Sequence, residues 1–78
     1  MNEMLSAGID VGSAAVKIAL IEDRGQGEAT LLSCISERIR RRDPAQVAEG
    51  AFDRALSEAN LQRKDFGYIA TTGEGEAI

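Results

Sequence analysis

Two short segments carry residue types suited to holding a phosphate. The first is Asp10-Val11-Gly12-Ser13, followed by Ala14-Ala15-Val16-Lys17. A glycine lets backbone N–H groups approach a phosphate closely, the Ser13 hydroxyl adds a donor, and a carboxylate such as Asp10 holds a hydrated Mg²⁺. Lys17 adds positive charge. A plain hairpin turn followed by a solvent-facing lysine accounts for the same spacing, so the residues alone leave both readings open. The pattern is not a Walker loop, which needs Lys-Ser or Lys-Thr opening a helix, nor a GxGxxG dinucleotide fingerprint. The second segment, Ala70-Thr71-Thr72-Gly73-Glu74-Gly75-Glu76, sets hydroxyls and glycines at a strand end, where they suit a phosphate or a docking partner. Glu74 and Glu76 would repel a phosphate unless a cation lies between, which favours a partner-facing or conformational role. A plain C-terminal tail accounts for it equally well.

Arg38, Arg40, Arg41 and Arg42 form the single basic cluster in a chain of 78 residues and net charge −4. An anion or an acidic surface would suit it; a solvated loop end, partly neutralised by Glu37 and Asp43, is the plainer account. Cys34 is expected to be a small buried hydrophobe. As the lone cysteine in a chain without histidine, it closes no internal disulfide and offers neither a zinc site nor a Cys/His or Ser/His pair. The acidic balance argues against nonspecific nucleic-acid binding, and 4% aromatic content supplies no base-stacking platform. No apolar run approaches the roughly 20 residues of a membrane helix, and no leader pattern opens the chain, so a cytoplasmic, membrane-free protein is expected.

These residues need elements to position them, and the hydropathy pattern supplies a set. Leu5, Ala7, Ile9 and Val11 alternate with Ser6, Gly8 and Asp10, the period of a first strand. After Gly12 and Ser13, Val16, Ile18 and Leu20 alternate with Lys17, Ala19 and Ile21 as a second strand, closing a hairpin. Asp23, Gly25 and Gly27 turn the chain into a third strand, roughly Ala29 to Ile39. Asp43 before Pro44 is an N-cap with proline at the first helical position, and predicts a helix from Pro44 to about Asn60. Its buried stripe is Val47, Ala48, Ala51, Phe52, Ala55, Leu56 and Ala59. Gly50 inside it costs roughly 1 kcal/mol against alanine. After a polar connection, Gly67 to Thr72 reads as a fourth strand that ends in the Gly73 to Gly75 loop. A right-handed crossover sets strand four parallel to strand one, giving an α/β fold with a mixed sheet of order 3-2-1-4 and one crossover helix. Both glycine segments then leave adjacent parallel strands at their C-terminal ends, where open α/β sheets bind ligands.

On these residues, DVGSAAVK resembles the first phosphate motif of the actin, heat-shock chaperone and sugar-kinase ATPase superfamily, whose ribonuclease-H-like domain begins β-β-β-α-β. AGIDVGSAAVK, RIRRRDP and YIATTGEGE together resemble the ATPase family that activates 2-hydroxyacyl-CoA dehydratases and drives benzoyl-CoA reductases. The likeness runs from Ala7 to the last residue. It implies a domain that binds Mg-ATP and couples hydrolysis to low-potential electron transfer in anaerobic aromatic degradation. By motif, Asp10 would hold Mg²⁺ through water, Gly12, Ser13 and Ala14 would face the phosphates, and Lys17 would add charge nearby. Thr72, Gly73 and Gly75 would line the same cleft. The resemblance also implies a homologous ATPase subunit and acyl-CoA reductase subunits as partners, with an iron–sulfur cluster held by cysteines that this chain lacks. Family members are several times longer, so residues 1–78 are expected to be the N-terminal part of an actin-like ATPase domain, poorly active alone. The alternatives are a noncatalytic docking module for a redox partner and a fragment of a sugar or acid kinase.

Overall fold

The computed structural model describes residues 4–25 and 27–73. Its elements follow the order β1 (Met4–Val11), β2 (Ala15–Gly25), β3 (Glu28–Arg38), α1 (Pro44–Ala59) and β4 (Tyr68–Gly73), with a 3-10 turn at Arg63–Asp65 before β4. The sheet order is β3-β2-β1-β4, with β1 antiparallel to β2 and parallel to β4. This is the α/β arrangement expected from the hydropathy pattern.

Each boundary has a local cause. Gly25 and Gly27 adopt φ of 82° and 79°, the left-handed conformations that close the β2–β3 hairpin, and the Asp23 carboxylate accepts from the Gly25 N–H at 2.9 Å. The Asp43 side chain accepts from the Ala45 N–H at 3.2 Å and starts α1; Asn60, at φ 61°, ends it with its N–H donating to the carbonyls of Leu56 and Ser57. The polar connection after the helix is tighter than its composition suggests. Asp65 accepts from the Gln62 N–H at 2.9 Å and folds it into the 3-10 turn.

The core lies between α1 and one face of the sheet. Val11, Val16, Ile18 and Leu20 are fully buried beneath Val47, Ala48, Ala51, Phe52, Ala55 and Leu56 of the helix, with Ala59 half-buried at its end. The other face is where the Cys34 expectation fails. Cys34 is exposed, because it pairs with Ala19 on the side away from α1, whereas its neighbour Ile35 pairs with Ile18 on the covered side. The run Leu31, Leu32, Cys34, Ile35 supplies apolar residues to both faces, while the helix covers only one.

Candidate phosphate-binding site

The open face gathers most of the residues singled out by type. Along β1, Val11 and Ile9 face the helix, so Asp10 lies on the opposite side. It stands level with Lys17 of β2 on one side and Thr72 of β4 on the other, so one row across the sheet holds a hydroxyl, a carboxylate and an ammonium. The Thr72 Oγ1 donates to Asp10 Oδ1 over a long 3.4 Å. These groups, with Gly8, Ala19, Cys34 and Ala70, line a concavity of about 350 Å³. Residue type alone did not pick out the small residues of its floor; the signal was the coincidence of Gly8, Ala19 and Ala70 on one face of adjacent strands.

At the rim of this face, β1 passes into β2 through Ser13 and Ala14. The Gly12 N–H donates to the Ala15 carbonyl at 2.9 Å, and a Cβ on Gly12 would lie 3.3 Å from that same oxygen. Neither Ser13 nor Ala14 has a positive φ, so this is not one of the primed turns that usually close two-residue hairpins. Among the described residues, the N–H groups of Ser13 and Ala14 donate to no backbone carbonyl. Consecutive free N–H groups at a turn are a chemistry suited to an anion.

Gly73 closes the other side. It pairs with Val11 at φ 85°, and a Cβ there would overlap the Val11 carbonyl, so β4 approaches the end of β1 only because this residue is glycine. Gly75, like Glu74 and Glu76, lies outside the described residues. The structure thus brings Asp10, Gly12, Ser13, Ala14, Lys17, Thr72 and Gly73 to one end of the open face. No cluster of three or more His, Cys, Asp or Glu side chains occurs among the described residues. Asp10 and the Ser13 and Thr72 hydroxyls are hard oxygen donors, which suit a Mg²⁺ that keeps most of its water. An iron–sulfur cluster does not fit: cluster ligation uses several thiolates, and the chain has one cysteine.

A mixed β3-β2-β1-β4 sheet with one crossover helix is the architecture of the actin-like ATPase fold. The chain belongs to the BadF/BadG/BcrA/BcrD ATPase family, whose family model matches residues 7–78. It is 47% identical over 75 residues to a benzoyl-CoA reductase subunit of Thauera aromatica, covering 95% of this chain and 26% of that protein. Among solved structures, component A of the (R)-2-hydroxyglutaryl-CoA dehydratase of Acidaminococcus fermentans matches with a TM-score of 0.76 at 20% identity. That match covers 95% of this chain and 26% of the other, and at this identity it speaks for the fold alone. A glycerol dehydratase reactivase matches with a TM-score of 0.65 at 27% identity, over 87% of this chain and 12% of that one. The chain therefore spans about a quarter of the curated relative, 26% of its length.

Proposed function

We infer that this chain is the nucleotide-binding, N-terminal part of the ATPase subunit of a benzoyl-CoA reductase, and that it binds Mg-ATP at the end of its open sheet face. The observation that carries the reading is the register that sets Thr72, Asp10 and Lys17 in one row beside the Ser13–Ala14 turn. Each group has a task there. The free N–H groups of Ser13 and Ala14 and the Ser13 hydroxyl meet phosphate oxygens, Gly12 gives the turn its close approach, and Lys17 balances the charge. Thr72 orients the Asp10 carboxylate, which would hold Mg²⁺ through water; bound there, the metal would supply charge neutralisation on the phosphates. Gly73 keeps β4 close enough to β1 for both strand ends to face one ligand.

Because the family relative is nearly four times longer than the matched segment, hydrolysis needs groups from outside residues 1–78. In this reading the intact protein works in the cytoplasm with a homologous ATPase subunit and acyl-CoA reductase subunits, and passes the free energy of hydrolysis to low-potential electron transfer. The iron–sulfur cluster of such a complex draws its cysteines from elsewhere.

The test is Asp10→Ala in the intact protein. ATP turnover is expected to fall roughly 10²-fold, the scale of removing one preorganised charge-stabilising group. Unchanged turnover would refute the assignment and leave a docking role for the fold.

A further inference from the structure

The turn from β3 into α1 carries four arginines in a chain whose net charge is −4. They do different work. Arg42 is used internally: its guanidinium donates to the carbonyls of Arg38 and Ile39 and pairs with Glu37 at 3.0 Å. Arg38, Arg40 and Arg41 are exposed and form no ion pair with any described residue.

The backbone separates these arginines from an ordinary solvated loop. Arg40 and Arg41 adopt φ of 50° and 67°, both in the left-handed region. Every other described position with positive φ holds glycine or asparagine, namely Gly25, Gly27, Gly73 and Asn60. Glycine enters the region with no Cβ to crowd the backbone and asparagine with a short polar side chain that hydrogen-bonds locally, whereas an arginine does so under strain. Glycine at positions 40 and 41 would make the same turn more easily, so the shape of the turn does not account for arginine. What the two side chains add is charge, held outward on a fixed frame. The frame is fixed because Ile39 is buried in the core, and its N–H donates at 2.9 Å to the carbonyl of Ala14 in the candidate phosphate turn.

We propose that Arg38, Arg40 and Arg41 form a docking surface for a carboxylate-rich face of a partner protein, tied by the Ile39–Ala14 hydrogen bond to the phosphate turn. Charge complementarity selects the occupant, since the exposed guanidiniums stand out from an acidic chain. Guanidiniums match carboxylates through paired N–H donors, and with 4% aromatic residues the chain offers no base-stacking platform that would favour a nucleic acid instead.

The experiment uses the intact protein, with poly-L-glutamate, tripolyphosphate and Mg-ATP as probes at low and high salt. Poly-L-glutamate is expected to bind the unaltered protein in a salt-sensitive way. The double variant Arg40→Gly with Arg41→Gly, which suits the local φ and so keeps the fold, is expected to bind it about tenfold more weakly at low salt. Arg40→Lys with Arg41→Lys should retain that binding, and Mg-ATP affinity should be the same in all three proteins. Equal poly-L-glutamate binding by the glycine variant would overturn the proposal. So would a parallel loss of tripolyphosphate or Mg-ATP binding, which would assign the turn to the phosphate site instead.

Discussion

At the scale of single residues, Gly73 is the position where chemistry leaves least choice. Two separate effects act on it: a φ of 85° and the Val11 carbonyl in the space a Cβ would fill. Gly25, at φ 82° with nothing within 4 Å of a built Cβ, feels only the first. Alanine at a positive φ costs about 1 kcal/mol or more. Gly73→Ala is therefore expected to lower the thermal unfolding midpoint of the intact protein clearly further than Gly25→Ala, because β4 must move away from β1 to relieve the overlap. The same movement separates Thr72 from Asp10, so Gly73→Ala should also weaken Mg-ATP binding while Gly25→Ala leaves it intact. Equal midpoints and equal affinities would show that the approach of the two strands is unimportant.

At the scale of elements, α1 is joined to β3 by an ion-paired cluster as well as by its buried stripe. Glu37 lies on the covered side of β3 and pairs with Arg54 of the helix at 2.9 Å and with Arg42 of the turn at 3.0 Å. The Arg42 hydrogen bond, opposed by partial burial and aided by Arg54, holds the Glu37 carboxyl below the ordinary glutamate range. A carboxyl whose pKa is lower folded than unfolded contributes stability above its unfolded pKa and loses it as pH falls through the folded value. The thermal midpoint should accordingly decline with acid, and Glu37→Gln should flatten that decline below the ordinary glutamate pKa of about 4.3 while lowering the midpoint slightly at neutral pH. Parallel midpoint-against-pH curves for the two proteins would rule out the contribution. The elements themselves were largely readable beforehand, because Asp43-Pro44, Asn60 and the paired glycines near 25 act through local backbone chemistry that neighbouring residues dictate. The hairpin of β1 and β2 is legible too, but its register is not: a turn at Gly12 and Ser13 would set Asp10 opposite Ala15, whereas the chain turns at Ser13 and Ala14 and pairs Asp10 with Lys17. The contact between Thr72 and Asp10 depends on a parallel register set by a crossover of many residues, which only the folded sheet fixes. Cys34 departs from its expected burial for a related reason: an apolar run without alternation does not say which face the single helix will cover.

At the scale of the whole molecule, the helix protects the sheet unevenly. Ile69 pairs with Ala7 and so belongs to the helix-covered side, yet it is 42% exposed, and beside it a gap of about 140 Å³ opens between Phe52, Arg63 and Thr71. Among the described residues nothing pairs with the outer edge of β4, and Tyr68 on that strand is 61% exposed. An unpaired strand edge flanked by apolar side chains is a template for another strand. A polypeptide of only these 78 residues is therefore expected to self-associate through β4, giving sedimentation coefficients that rise with concentration. Ile69→Lys places a charge beside the edge and should return the sample to monomer, with an unchanged circular dichroism spectrum, because the side chain lies outside the fully buried core. If the unaltered polypeptide stays monomeric at all concentrations, the exposed edge is not adhesive. Should association persist unchanged in the Ile69→Lys variant, it runs through another surface, the open face bearing Leu32 and Tyr68 being the next place to substitute.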